Sequence, residues 1–308
     1  MSKVVNDIRE LIGQTPILKI NNFSLPEGVN IYAKLEYFNP GGSVKDRIGN
    51  FMLEAAEKQG LIKKGGTVIE PTAGNTGIGI ALAALNRGYR VIFVIPEKFS
   101  VEKQELMKAL GAEIIHTPTD KGMEGAIEKA KDLAENIEGS FIPNQFENMA
   151  NPLAHYKTTG PEIYKQLDGK IDYFVAGVGS GGTFTGTARF LKERDSKIKA
   201  VAVEPVGSIL GGGPKGPHKT EGIGVDFIPK TLDVKLIDKV VTVSDEDAFN
   251  MVKELAKKEG VLVGSSSGAA FYATLQIAGE LTSPANIVTI FPDGSERYLS
   301  KKIYQGGI

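Results

Sequence analysis

Short β-branched runs recur along this chain almost to its end: Thr67–Glu70, Arg90–Ile95, Glu113–His116, Tyr173–Ala176, Lys199–Val203, Val240–Val243 and Ile287–Phe291. Amphipathic stretches separate them. Parallel strands need long crossovers and helices supply them, so the alternation predicts an α/β fold. After Ser43, the residues Ile48, Phe51, Met52, Ala55 and Ala56 recur at helical spacing and Gly60 follows as a stop. Val101–Leu110 reads as a second helix, capped by Ser100 and closed by Gly111. At 308 residues the chain has the length of about two domains, or of one α/β unit with a cleft. No low-complexity linker, heptad array or repeat interrupts it, so a compact body with two lobes is expected. Leu210–Thr220, with Gly211–Gly213 and two prolines, is too irregular for an element and reads as a mobile rim.

Composition excludes several partners. Lys and Arg total 36 against 37 Asp and Glu, which leaves no excess positive charge for a phosphate backbone or an anionic membrane surface. With no cysteine there is no disulfide, no thiolate metal site and no protein thiol nucleophile; any sulfur in the chemistry comes from a substrate, and no metal is expected. The start, MSKVVNDIRELIG, has scattered charges and no apolar segment, and no run reaches the roughly 18 apolar residues of a membrane span. A cytoplasmic protein is the expectation.

Chemistry concentrates in glycine-rich loops. In Asn39-Pro-Gly-Gly-Ser-Val-Lys-Asp-Arg47, Lys45 falls in the first helical turn, where the positive end of the dipole disfavours a cation. An amine so placed loses its proton more readily and becomes a nucleophile toward aldehydes; a solvated lysine beside Asp46 fits the segment equally well. Glu70-Pro-Thr-Ala-Gly-Asn-Thr-Gly77 runs from a strand into the apolar helix Ile78–Leu85. Its helix-start amides, with Thr72, Asn75 and Thr76, can cradle a carboxylate, or the hydroxyls can simply cap a tight turn. Val175-Ala-Gly-Val-Gly-Ser-Gly-Gly-Thr-Phe-Thr185 has the position of a phosphate loop, with Gly179, Ser180, Gly181, Gly182 and Thr183 aimed at one anion. It lacks the Gly-Lys-Ser/Thr ending of a nucleotide P-loop. Val263-Gly-Ser-Ser-Ser-Gly-Ala269 again joins a short apolar strand to a helix, and its serines fit capping as well as binding.

One alternative stays open at this point. Gly177, Gly179 and Gly182 match G-x-G-x-x-G, and Glu204 ends the next strand as a dinucleotide fingerprint requires. That reading, an NAD-dependent oxidoreductase, leaves the lysine and asparagine loops unexplained.

Taken in order, NPGGSVKDR, EPTAGNTGIG, GVGSGGTFTG and GSSSGAA resemble the fold type II pyridoxal-phosphate enzymes of the cysteine synthase and cystathionine β-synthase family, over nearly the whole chain. The resemblance implies two lobes, each a mostly parallel sheet flanked by helices: a larger cofactor-binding lobe of residues 1–42 and 149–308, and a smaller, mobile, substrate-binding lobe of residues 43–148. It implies that Lys45 forms the imine with pyridoxal 5'-phosphate and moves the Cα proton. Asn75 would contact the cofactor's ring oxygen, Gly179–Thr183 its phosphate, and Ser266 its pyridine nitrogen. Thr72, Ala73, Gly74, Thr76 and Gln145 would receive the substrate carboxylate side. A neutral hydroxyl at the pyridine nitrogen favours loss of a β-leaving group over transamination. A homodimer is implied as well.

Within the family, the segments Asn151–Thr159, Glu204–Leu210 and Glu221–Pro229 are more similar to cystathionine β-synthases. Cysteine synthases commonly carry Gln where Glu221 stands. Glu221, with Gly222 and the Gly211–Gly213 rim, is suited to the amino group and added length of homocysteine; a solvent-facing Glu221 is the plainer reading. Ala73 stands where the family usually has serine, removing a hydroxyl and favouring O-acetylserine over serine. The expected reaction is therefore O-acetylserine plus homocysteine giving cystathionine and acetate, as in the bacterial O-acetylserine-dependent cystathionine β-synthase branch of reverse transsulfuration. Sulfide as the thiol is the alternative, a catalytically dead binding module such as a partner of an acetyltransferase is a competing class, and the NAD-dependent oxidoreductase is the remote alternative. The chain's end at Ile308 predicts no regulatory pair, and its start no haem extension.

Overall fold

A computed structural model describes residues 4–305; the first three residues and the Ile308 end, on which the terminal expectations partly rest, lie outside the described residues. In chain order the elements are β1 (Ile17–Ile20), β2 (Val29–Leu35), α1 (Lys45–Lys58), β3 (Thr67–Pro71), α2 (Asn75–Ala84), β4 (Arg90–Pro96), α3 (Val101–Ala109), β5 (Glu113–Thr117), α4 (Gly122–Asn136) and β6 (Ser140–Phe141). Then come α5 (Ala150–Lys157), α6 (Thr159–Gln166), β7 (Tyr173–Gly177), α7 (Gly182–Arg194), β8 (Lys199–Pro205), β9 (Lys239–Val243), α8 (Asp245–Glu259), α9 (Ser265–Gly279) and β10 (Ala285–Phe291). The fold is α/β with two sheets.

All seven expected runs are strands, each extended by one or more residues. Three strands were hidden. Lys34 interrupts the apolar pattern of β2, yet it is fully buried, its ammonium donating to Thr15 O (2.7 Å), Glu162 (2.8 Å) and Gln166 (2.8 Å). A charge so satisfied is tolerated inside a sheet, where periodicity alone reads it as exposed. β1 is a short strand with only Ile20 buried, and β6 has two residues. One expected element is absent: residues 261–263 form no strand, only an isolated bridge from Val263 to Gly294.

The described residues divide into two units. The smaller holds residues 4–12 and 45–151. Residues 4–12, expected with the larger lobe, join it through the Arg9 guanidinium, which donates to Ala83 O at the end of α2 (3.3 Å). Its four strands run parallel in the order β5-β4-β3-β6 over a core of Ile69, Ile92, Val94, Ala126 and Ala130. Strands are added on one side of β3 and then, with β6, on the other, so the chain reverses direction at β3. Two glycines set how α1 lies on α2: a Cβ on Gly49 would sit 2.3 Å from Gly79 O, and one on Gly79 2.4 Å from Lys45 O. The helices touch backbone to backbone, and that contact holds the start of α1.

The larger unit, residues 13–44 and 152–305, has six strands in the order β1-β2-β10-β7-β8-β9, all neighbours parallel except β1 with β2. One sheet face packs Ile31, Val201, Phe271 and Phe291; the other packs Phe174, Ala200, Phe184 and Leu191. Here the reversal falls at β7, flanked by β8 and β10. Ligands of open α/β sheets bind beyond the carboxyl ends of strands at such reversals. The Thr72–Asn75 loop follows β3 and the Gly177–Gly182 loop follows β7, so each unit presents one expected site loop at its reversal strand. Among the described residues no helix is long and apolar enough to cross a membrane.

Candidate functional site

In the smaller unit, Lys45 is the first residue of α1 and is half-buried. Asp46 is fully buried, so a surface lysine beside a surface aspartate is not what this segment forms. α2 begins at Asn75, three residues before the expected Ile78, with Gly74 as its N-cap and no side chain capping it. The hydroxyls were open to a capping role; the structure directs them elsewhere. Thr72 Oγ accepts from Gly74 N (3.4 Å), and Thr76 Oγ donates to Gln145 Oε1 (2.8 Å). The first amides of α2 have no intrahelical acceptor, which makes that turn an anion cradle. Ala73 and Gly74 are half-buried on the loop between Thr72 and Asn75, with no atom within 4 Å of a Cβ placed on Gly74.

Gln145 is held in place by groups that sequence reading missed. Asn151 Nδ2 donates to its carbonyl (2.8 Å), and the Glu70 carboxylate accepts from Asn144 N (2.9 Å) and Gln145 N (3.4 Å). Asn144 adopts φ +50°, a left-handed turn that asparagine tolerates. Glu70 is buried at the end of β3, and burial pushes its carboxyl up to about 7 against the opposing pull of the two amides. Because this folded-state value lies above the ordinary 4.5, the stability the group contributes is full below that pH and is lost as pH rises through about 7. A rise of this size corresponds to roughly 3 kcal/mol. Glu70→Gln does not titrate, so wild type should lose about that much stability relative to the variant between pH 4.5 and pH 8, measured by urea unfolding. Parallel pH dependences in the two proteins would remove Glu70 as the source.

The larger unit carries the glycine loop. Gly181, N-cap of α7, has φ +82°, and a Cβ there would meet Leu232 Cβ at 2.6 Å; a Cβ on Gly179 would meet Gly222 O at 2.4 Å. Only glycine fits at either position. The Ser180 carbonyl accepts from Thr231 Oγ, and Gly224 N donates to Val178 O (2.8 Å), so the loop is braced by the segment 222–232. Thr183 Oγ lies 3.1 Å from His155 Nε2, and His155 Nδ1 lies 2.9 Å from Thr159 Oγ. His155 is fully buried and orients the last hydroxyl of the loop; its sequence signal, a histidine in Asn151–Thr159, was used only to compare segments. The amides of Gly182 and Thr183, at the first turn of α7, have no intrahelical acceptor and suit an anion.

At α9 the N-cap is Gly264, without a side-chain cap. Ser265 Oγ instead accepts from Glu221 N (3.1 Å), Ser267 Oγ is buried without a hydrogen-bond partner, and a Cβ on Gly222 would sit 4.0 Å from Ser266 Oγ. The Glu221–Gly222 turn therefore lies against the start of α9. Glu221 does not face solvent freely: it is half-buried and paired with Lys301. Gly211 is packed against Glu204, whose carboxylate accepts from Leu210 N (2.9 Å), Gly211 N (2.9 Å) and Thr242 Oγ (3.0 Å). These bonds clamp the near end of the glycine rim, while Gly212 and Gly213 remain open. They also fill Glu204, the residue a dinucleotide reading needs free for a ribose hydroxyl, and that reading fails here.

Each unit carries groups that fit pyridoxal phosphate: the smaller a half-buried amine at Lys45, the larger a phosphate cradle closed by glycines and a serine hydroxyl at a helix start. Residues 8–293 match the family described as pyridoxal-phosphate dependent enzyme. The chain is 58% identical over 305 residues, 99% of each chain, to an O-acetylserine-dependent cystathionine β-synthase of Bacillus subtilis, and 54% identical over 303 residues, 98% of this chain and 99% of the relative, to a cysteine synthase of Helicobacter pylori. A crystal structure of an O-acetylserine-dependent cystathionine β-synthase from Helicobacter pylori matches with a TM-score of 0.93 at 53% identity, covering 98% of this chain and all of that one. The chain belongs to the family of pyridoxal-phosphate-dependent enzymes, and within it to the fold type II group.

Proposed function

We propose that this enzyme replaces the acetate of O-acetylserine with the thiol of homocysteine, giving cystathionine. The cofactor would be held by Lys45, Asn75, Gly179, Ser180, Gly181, Gly182, Thr183 and Ser266. Pyridoxal phosphate supplies an electrophilic carbon for an amine and a sink for the electrons of a Cα–H bond. Lys45 Nζ takes the Cα proton of O-acetylserine and returns it to the product. Thr72, Ala73, Gly74, Thr76 and Gln145 receive the carboxylate, with Gln145 already oriented by Thr76 and Glu70. Ser266 would serve as a neutral partner of the ring nitrogen, which favours β-replacement over transamination.

The observation that carries the choice of thiol is Glu221, a half-buried carboxylate paired with Lys301 on a backbone held by Ser265, next to Gly222 and the start of α9. Sulfide has no group for it; homocysteine has an ammonium. The 58% identity to the Bacillus subtilis protein supports the same choice. Cysteine synthesis from sulfide is the second reading, favoured by the 54% identical Helicobacter pylori relative named for it. The protein is further proposed to be a cytoplasmic homodimer, with residues 43–148 the more mobile lobe.

A competition assay decides between thiols. With O-acetylserine or serine offered against homocysteine and sulfide, the highest specificity constant should belong to O-acetylserine with homocysteine. Glu221→Gln should shift the thiol ratio toward sulfide by about 10-fold, the loss of one charge-assisted hydrogen bond. Ala73→Ser should raise use of serine. Unchanged ratios in both variants would return the enzyme to the cysteine-synthase reading.

A further inference from the structure

Residues 292–297, which follow β10 in the larger unit, are hydrogen bonded along both sides. On one side Pro292 O accepts from Val44 N (2.9 Å), Asp293 forms an antiparallel bridge with Ser43, and the Arg297 guanidinium donates to Gly41 O. On the other, Asp293 O accepts from Gly264 N (3.2 Å), Gly294 forms an antiparallel bridge with Val263, and Ser295 N donates to Leu262 O (3.3 Å). Asp293, Ser295 and Arg297 are all buried. The first side is the turn that ends one peptide bond before Lys45. The second leads into α9 two residues before Ser266. Neither side has slack: Gly42 has φ +76° and a Cβ there would collide with the Arg297 guanidinium, while a Cβ on Gly264 would collide with the Asp293 carboxylate.

We propose that residues 292–298 act as a gauge for the cofactor, with Arg297 and Tyr298 as positioning residues: they fix the turn before Lys45 against the start of α9 at the spacing one pyridoxal ring requires. The inference rests on Lys45 and Ser266 holding the cofactor, as proposed above. In pyridoxal phosphate the aldehyde carbon is attached para to the ring nitrogen, so a rigid ring sets the distance between them. Lys45 bonds to that carbon with loss of water, and Ser266 serves the nitrogen. A backbone free to drift at either end would satisfy one contact at the expense of the other, and supporting residues remove that freedom. Arg297 reaches Gly41 O from a buried position, and its charge is met by Glu296 (3.5 Å). The same turn is held from within by Asn39, whose carbonyl accepts from Gly42 N (2.7 Å). The Tyr298 hydroxyl donates to the Asp293 carboxylate and so locks the residue whose backbone touches both sides. Burial, with the Asp293 charge, raises that hydroxyl well above its ordinary range, which keeps it a donor.

The test titrates cofactor-free enzyme with two ligands: pyridoxal 5'-phosphate, and 4'-deoxypyridoxine 5'-phosphate, in which a methyl group replaces the aldehyde and no bond to Lys45 can form. Wild type should bind the aldehyde more tightly, and Lys45→Ala should abolish that preference. Arg297→Met keeps the aliphatic stem but loses the donor to Gly41 O. It should lower the preference by about 10-fold, the loss of one charge-assisted hydrogen bond, while binding the deoxy compound as wild type does. Tyr298→Phe should act in the same direction, and it decides the matter if Arg297→Met binds neither ligand. A purely structural role would weaken both ligands alike. Equal weakening of both, or a preference unmoved in the variants that bind, would therefore overturn the gauge. No aldehyde preference in wild type, or one that survives in Lys45→Ala, would instead overturn the reading of Lys45 on which the gauge rests.

Discussion

Lys45→Ala should yield a folded protein whose turnover of O-acetylserine falls by about 10³-fold or more, because in the proposed reaction one amine both holds the cofactor and carries the Cα proton. The wild-type enzyme should show a visible absorbance band that borohydride abolishes, and the variant should lack it. Lys45 begins α1 and is not among the buried residues of that helix, so the expected loss is chemical. Unfolding midpoints close to wild type, measured on the two proteins without cofactor, separate that loss from a folding defect. A variant that keeps the borohydride-sensitive band, or turns over within tenfold of wild type, would remove Lys45 from the mechanism.

Gly179→Ala should be the next most damaging change, although it adds a single methyl group. That carbon would lie 2.4 Å from Gly222 O and 3.6 Å from Ile223 Cα, both backbone atoms, so no side chain can swing aside. Either the phosphate loop or the Glu221–Gly224 turn must move. Overpacking of this kind destabilises by about 1–3 kcal/mol. Displacing the loop should also weaken pyridoxal phosphate binding by at least ~10-fold, equivalent to about 1.4 kcal/mol. Gly213→Ala is the control, since its Cβ would approach only Ser208 O, at 3.5 Å. Equal cofactor affinities in the two variants, from titration of the apoenzyme, would show that the close approach of Gly179 to Gly222 has no bearing on the cradle.

Much of the architecture was readable because buried parallel strands are nearly continuous apolar runs, and seven were found that way. What escaped were elements whose signal depends on distant partners. Lys34 reads as a surface residue until Thr15, Glu162 and Gln166 surround it. The serines after Val263 fit capping as well as binding, and only the fold shows Ser265 turned toward the Glu221 amide. The dinucleotide fingerprint matched in letters, but its acidic residue is occupied by the following loop. Glu70 looked like the end of a strand; its position under Gln145, 75 residues on, gives it a part in the carboxylate loop. His155 likewise belongs to no local site motif, and only the fold places it behind Thr183. Loops that bind through consecutive residues are legible locally, whereas residues that orient them are not.

The crossing of α1 and α2 sets a tolerance on the chemistry. Gly79 faces the carbonyl of Lys45, and Gly49 faces that of Gly79, so neither side of the contact has a side chain that can absorb an error. The helices act as a fixed spacer, and the amine inherits its starting point from backbone thickness. Position 79 is not among the proposed ligand-binding residues, yet a methyl group there would displace the start of α1 and with it Lys45. In this part of the enzyme, mutational sensitivity follows the spacer and not distance from the substrate.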